Sequence, residues 1–363
     1  MKDQMTPMER AIALSKGLPV DRLPCNPNVA NGVARVYGCK ISEFARDAKV
    51  LAQAQIASYR HYGYDSVRIF TDLFPWAEAM GATVKYPDDE TADLDKPAIS
   101  DVSMIDTLVP ADPFKDGRLP LQLDAMKYLV DELGNEIGGS CGVVGAFTNA
   151  FFLMGVNKVL EMTYKNPEAL HKLCRVSLET VKAYAAAAID IGITPAISEP
   201  MSSCTVVSPR AFREFSLPYL RELVEFINSK GKKPVIHICG QTNKIWEDLV
   251  QMDIGGLSID NVASLVECKN KVGDRVKILG NVDPGVIMYT GTPLEVRRAT
   301  LQCLLDGHDS PKGYMVMSGC SLPVDTPKEN IHAMMDTMRD VGGTVDADRL
   351  KEMIEDCDKK LAQ

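Results

Sequence analysis

No C-x-x-C pair occurs among the ten cysteines of this 363-residue chain. They stand at positions 25, 39, 141, 174, 204, 239, 268, 303, 320 and 357, without the close, regular spacing of a disulfide framework. A zinc ribbon, an iron–sulfur cluster and a disulfide-stapled secreted domain therefore lack their usual sequence basis. Long apolar runs are missing too. Nothing approaches the roughly 20 consecutive apolar residues of a membrane span, and the opening Met1-Lys-Asp-Gln-Met-Thr-Pro-Met-Glu-Arg10 is polar. A cytoplasmic protein with no membrane contact is the expectation. Basic blocks are absent, and 40 Lys and Arg against 49 Asp and Glu leave a formal charge of -9, which excludes nucleic acid as an expected partner.

What is present is a regular alternation of short apolar runs with longer helical patterns, the signature of βα units and a parallel sheet. The strand candidates are Leu23–Asn26, Ser66–Phe70, Gly139–Val144, Thr194–Ser198, Pro234–Cys239, Gly256–Asp260, Lys277–Gly280 and Tyr314–Ser318. Helical patterns fall at 41–61, 156–191 with a break at Asn166-Pro167, 209–230, 242–252, 262–270, 293–305 and 327–341. Ser208-Pro209 and Thr326-Pro327-Lys-Glu329 are helix-start signatures. Eight such strands fit an α/β fold of the (β/α)8 TIM-barrel type, with the active face at the strand carboxyl ends. A doubly wound open sheet would want G-x-G-x-x-G after its first strand, where this chain has Asn26-Pro-Asn-Val-Ala-Asn-Gly32. One domain over 1–363 is expected. The stretch 74–136, rich in proline and acidic clusters, is expected to form an insertion or lid.

The polar residues that look out of place all sit at carboxyl ends of strand candidates: Glu199, His237, Cys239, Asp260, Asn281, Asp283 and Cys320. Residues two apart on a strand share a face, so His237 and Cys239 project together while Ile238 packs the other side. If Cys320 joins them from a neighbouring strand, the set is His/Cys/Cys, which suits zinc and leaves a fourth position for a substrate. Buried cysteine is common as a small hydrophobe, and each residue taken singly reads as structural. Their joint placement, with Gly240 and Gly319 beside the cysteines, favours a metal site. A substrate thiol entering the vacancy would lose its proton and become a nucleophile at neutral pH.

Glu199-Pro200 reads equally as a fourth ligand, a supporting carboxylate or a turn cap. Asp260-Asn261 and Gly280-Asn281-Val-Asp283-Pro284 are turn sequences by composition that would line the rim and orient a small polar ligand. Cys141, in the glycine-rich 138–142, is expected to pack. His61, His171, His308 and His332 are expected at the solvated surface, and Met315, Met317, Met334, Met335 and Met338 in the core.

Four segments carry a family resemblance over nearly the whole chain. They are Ile236-His-Ile-Cys-Gly240, Ile278-Leu-Gly-Asn-Val-Asp-Pro284, Met317-Ser-Gly-Cys-Ser-Leu-Pro323 followed by Asp325-Thr-Pro-Lys-Glu-Asn330, and Ser208-Pro-Arg-Ala-Phe-Arg-Glu-Phe215. The chain resembles the uroporphyrinogen decarboxylase superfamily, and within it the zinc-dependent methylcobalamin:thiol methyltransferases typified by the coenzyme M methylases. That resemblance implies a (β/α)8 barrel and assigns zinc to His237, Cys239 and Cys320. It implies a methyl group moving between a corrinoid and a small acceptor such as a thiol. From their places at the strand ends, Glu199 and Asn281 are the expected catalytic residues and Asp260 and Asp283 the expected cofactor-binding ones.

The chain has no D-x-H-x-x-G corrinoid motif, so the methylcobalamin-type cofactor would be carried by a partner corrinoid protein. The decarboxylase branch holds its tetrapyrrole with an R-Q-A-G-R-Y type motif, and Cys25-Asn-Pro-Asn-Val-Ala-Asn-Gly-Val-Ala34 stands in its place here. Arg22 and Arg35 do not replace it. An aspartate does follow the second strand in Phe70-Thr-Asp72, much as in the decarboxylases. A metal-free decarboxylase and a non-catalytic corrinoid or metal carrier are the alternative readings.

Overall fold

In the computed structural model, which describes residues 3–363, all eight expected strands form within two or three residues of their expected bounds. They are β1 (Cys25–Asn26), β2 (Val67–Ile69), β3 (Gly139–Val144), β4 (Thr194–Ser198), β5 (Val235–Ile238), β6 (Gly256–Ile259), β7 (Ile278–Val282) and β8 (Tyr314–Ser318). Every pairing is parallel, and the order runs β1-β8-β7-β6-β5-β4-β3-β2. Chain neighbours are thus sheet neighbours, and the two ends of the sheet meet where the Asp65 N–H donates to the Cys25 carbonyl at 3.0 Å. The sheet curls into the α/β TIM-barrel architecture.

Alternation along the strands explains the two shells of packing. Val67, Ile69, Cys141, Val143, Ile197, Ile236, Leu257, Ile259 and Ile278 are sealed on the outer face against the helices. The residues between them face the lumen. Helices form where the 3.6-residue pattern places them: Ala48–Tyr62, Val156–Lys165, Pro167–Asp190, Leu217–Ser229, Leu265–Val272, Pro293–Gly307 and Lys328–Val341. The break at Asn166 is a helix cap, its side chain accepting from the Ala169 N–H. Ser208 caps its helix through the Ala211 N–H at 3.1 Å, whereas Thr326 turns back to the Pro323 carbonyl. The pattern at 242–252 yields only Trp246–Leu249.

The proline-rich stretch 74–136 divides in two. Its first part holds a short helix (Pro75–Ala79), an antiparallel hairpin (Thr83–Lys85 with Asp93–Lys96) and a 3-10 segment (Val102–Thr107). The hairpin loop is tied to the segment after β1 by the Ile41 N–H on the Asp88 carbonyl and by Asn31 on Thr91. Its last part is the helix Leu119–Leu133, which buries Leu123, Met126, Leu129 and Leu133 between β2 and β3 in chain order and so belongs to the barrel wall. No helix among the described residues is long and apolar enough to cross a membrane.

Candidate metal centre

β5 positions the first two donors. Ile236 and Ile238 fill the outer shell, which turns Val235 and His237 inward. His237 pairs in register with Ser198 on one side and Ser258 on the other. The Ser258 hydroxyl engages Nδ1 of His237 at 3.1 Å, leaving Nε2 directed at Sγ of Cys239, 3.1 Å away. Cys320, just past β8, brings its Sγ to 3.5 Å from that of Cys239. The three donor atoms lie within 4.8 Å of one another, the only such cluster among the described residues.

The backbone makes room for this convergence at two glycines. Gly240 has φ +73 and no space for a Cβ, which would fall 2.7 Å from Ser203 Oγ and 2.8 Å from Thr205 Oγ1. A Cβ on Gly319 would stand 2.4 Å from the Asn261 nitrogen. Each cysteine therefore follows or precedes a residue that only glycine can be.

Electrostatically the sulfurs behave as one unit. The Cys239 thiol, hydrogen-bonded to Cys320, holds Cys320 below the ordinary thiol range, with His237 adding to the effect against desolvation. The same contact, together with burial, pushes Cys239 up. The two thiols are thus coupled, and a cation that takes both as thiolates would displace their protons.

The donor chemistry fits zinc. Two thiolates and an imidazole are borderline-soft ligands. A tetrahedral ion with Zn–S near 2.3 Å sets two sulfurs about 3.8 Å apart, close to the separation found here.

The other anticipated residues surround this centre without joining it. Glu199 is 1% exposed, at the end of β4; its Oε1 accepts from the Thr148 N–H at 2.9 Å and from Ser202 at 3.3 Å. Its Oε2 has no partner and rests against Gly145, where a Cβ would come within 1.5 Å. Burial pushes this carboxyl up to about 8, against the hydrogen bonds that favour its ionised form. Glu199 is not among the donors that cluster.

Asp260 accepts from the Gly240 N–H at 2.8 Å and so fixes the backbone beside Cys239. Asn281 spends its amide on the carbonyls of Asp260 and Ala263. Asp283 is occupied by Asn261 and by the N–H groups of Gly285 and Val286. These three brace the loops around the donors, each bonded to a loop that follows a neighbouring strand. Asp72 is buried and bidentate with Arg118 at 2.7 and 3.0 Å, so it too is spent on a protein partner. Cys141 is fully buried, as expected of a packing residue. Of the outlying histidines only His61 is exposed; His171 is bonded to Tyr219 and His308 to the Leu304 and Leu305 carbonyls, both half-buried, as is His332.

Eight parallel strands around a lumen, with a thiol–imidazole cluster at the carboxyl mouth, define the class: a (β/α)8 barrel with a soft-donor centre on its active face. The chain belongs to the uroporphyrinogen decarboxylase (URO-D) family, whose model matches residues 6–341. It is 27% identical over 338 residues to the methylcobamide:CoM methyltransferase MtaA of Methanosarcina barkeri, covering 92% of this chain and 97% of that one. It is 29% identical over 344 residues to the methylated-thiol–coenzyme M methyltransferase of Methanosarcina mazei, covering 92% and 89%. A solved methyltransferase from Methanosarcina mazei superposes with a TM-score of 0.83 at 26% identity, over 93% of this chain and 99% of that one.

Proposed function

We propose that the chain is a zinc-dependent methyltransferase that moves a methyl group between a methylcobalamin-type corrinoid, carried by a partner protein, and a small thiol of the coenzyme M kind. The observation that carries this reading is the convergence of His237 Nε2, Cys239 Sγ and Cys320 Sγ within 4.8 Å at the barrel mouth. A relative named methylcobamide:CoM methyltransferase supports the corrinoid donor, and that relative together with one named methylated-thiol–coenzyme M methyltransferase supports the thiol acceptor.

His237, Cys239 and Cys320 would hold the metal. Two thiolate charges would offset the +2 ion, and three protein donors would leave room for a further, anionic ligand. When bound, zinc supplies the Lewis acidity that lowers an acceptor thiol's pKa into the neutral range. The protein's own part is orientation. Ser258 fixes the His237 ring so that Nε2 faces the sulfurs, Asp260 holds Gly240 and with it the Cys239 backbone, and Asn281 and Asp283 brace the adjoining loops. Glu199 braces the β4 end beside His237, its N–H donating to the His237 carbonyl at 3.0 Å.

Metal analysis alongside methylcobalamin demethylation tests the reading. The purified chain should carry about one zinc and demethylate free methylcobalamin only when a thiol is supplied; full turnover by a zinc-free preparation would refute it. Ser258→Ala should weaken zinc binding about 10- to 100-fold, because an unsupported imidazole is a poorer and less well-aimed ligand. Chelator competition measures that change, and an unaltered affinity would remove Ser258 from the design.

A further inference from the structure

Two of the outlying histidines face each other. Nε2 of His61 and Nε2 of His332 stand 3.2 Å apart. His61 lies in the last turn of the helix Ala48–Tyr62, and His332 near the start of the helix Lys328–Val341. One helix leads into β2 and the other follows β8, so the pair bridges the two helices that flank the seam where the barrel closes. The ring centroids are 4.9 Å apart and the planes cross at 64°. The nitrogens are therefore the near ends of two rings whose axes converge.

The chain holds the pair in that posture. Tyr62, 1% exposed, places its ring 4.6 Å from that of His61 and 4.9 Å from that of His332, centroid to centroid. Farther along the seam Arg339 donates to the Tyr62 carbonyl at 2.8 Å and fixes the end of the first helix against the second. The other histidines are committed elsewhere: His171 to Tyr219, His308 to two carbonyls, and His237 to the cysteine cluster.

An ion with Zn–N bonds near 2.0–2.1 Å and tetrahedral angles holds two nitrogens about 3.3 Å apart, close to the 3.2 Å found here. Without an ion one imidazole N–H donates to the other nitrogen, so a cation competes with a single proton. Desolvation, then the neighbouring His332 and Lys328, holds His61 below the ordinary imidazole range, which keeps its lone pair available at neutral pH. Glu329, three residues before His332 and on the same helix face, is exposed and has neither a hydrogen bond nor an ion pair among the described residues. A carboxylate and an imidazole at i, i+3 on a helix form a known pattern of metal ligands.

We propose that His61 and His332, with Glu329 as an added carboxylate, form a second cation site that takes a borderline divalent ion such as zinc or nickel and clips the two helices across the seam. The site is independent of the methyl-transfer reading, since it shares no ligand with the His/Cys/Cys centre. It has no thiolate, and the Lys328 ammonium beside it opposes a cation, so the second ion is held more weakly than the first and is lost on purification.

The test uses untagged, zinc-loaded, full-length protein. Equilibrium dialysis against Zn²⁺ or Ni²⁺ should load a second equivalent on the wild type, and the chain should be retained on an immobilised-nickel column. His61→Gln and His332→Gln should each weaken the second equivalent about tenfold or more and abolish retention, with the first zinc kept. Saturating Ni²⁺ should raise the Tm of the wild type and leave that of His61→Gln unchanged, because an ion that binds only the folded chain stabilises it.

A wild type that takes no second equivalent overturns the proposal. So do variants that take it as tightly as the wild type, because the ion then sits on other surface donors. His61 is exposed, so His61→Gln decides the matter if His332→Gln does not fold; a nickel-induced rise in Tm that persists in it also overturns the proposal.

Discussion

Cys239→Ala and Cys320→Ala should each bring the zinc content from about one per chain to a small fraction of that, and slow thiol-dependent demethylation of methylcobalamin on the order of a thousandfold or more. Two donors in place of three leave a bidentate site, and the remaining sulfur returns to an ordinary thiol that must be deprotonated before it can bind a cation. The fold should survive either change. Both cysteines are half-buried at the mouth, and without metal their pairing is a single contact of 3.5 Å.

Cys141→Ala supplies the contrast. Its thiol is fully buried in β3, pushed up to about 12 by desolvation, and takes no part in the cluster. Losing it should cost about 1 kcal/mol of stability and no zinc. Metal analysis with circular dichroism reads both outcomes. Zinc-replete, active Cys239 and Cys320 variants would show that the geometry at the mouth is packing and not ligation.

The strands and the shared inward phase of His237 and Cys239 were legible in the sequence because both depend on local alternation. Val235-Ile-His-Ile-Cys239 states its own inner and outer faces, and the lone strand histidine followed by Cys-Gly marks the active end. Helices were lost where the local signal is ambiguous. Ala146–Met154 is buried on nearly every side, so it has no polar stripe to set a period. Pro75 and Pro120 read as breakers but stand in the first turn of their helices, where proline costs nothing. Pro7–Ser15 carries a full capping box, Thr6 with Glu9, a helix-start signal set inside the polar opening segment.

The supporting shell of the centre was legible only in part. Asp260, Asn281 and Asp283 stand at the expected strand ends, yet which way each polar atom turns is set by loops from other strands. Ser258 had a signal, the inward phase of Gly256-Leu-Ser-Ile, but its place against the His237 ring comes from the register between β5 and β6.

The largest expected loss of stability lies at the other end of the barrel, at the seam between β1 and β2. β1 is only two residues long, and its pairing across the seam is supplemented by Asp65, whose Oδ2 accepts from the Cys25 N–H at 2.8 Å while its own N–H donates to the Cys25 carbonyl. The same carboxylate binds Arg10 and Arg22, whose side chains are 0% and 1% exposed. Asp21 and Asp3 complete the cluster and tie it to the amino-terminal segment; hydrogen bonds from Arg10 and from the Met5 and Gln4 backbone outweigh desolvation and hold Asp21 well below the usual carboxylate range.

Asp65→Ala removes the seam's side-chain hydrogen bond and leaves two buried guanidiniums short of an anion. A deficit of that kind costs about 3–5 kcal/mol. Asp65→Asn, which keeps the acceptor but not the charge, should fall between the two. Urea unfolding monitored by circular dichroism measures the difference, and repeating it in high salt separates causes, because a buried network is little screened while surface pairs fade. Zinc content should hold in the folded variant, since the donors sit on the opposite face. A loss under about 1 kcal/mol would mean that Asp3 and Asp21 alone satisfy both arginines, and that β1 is held by its two backbone pairings with β8.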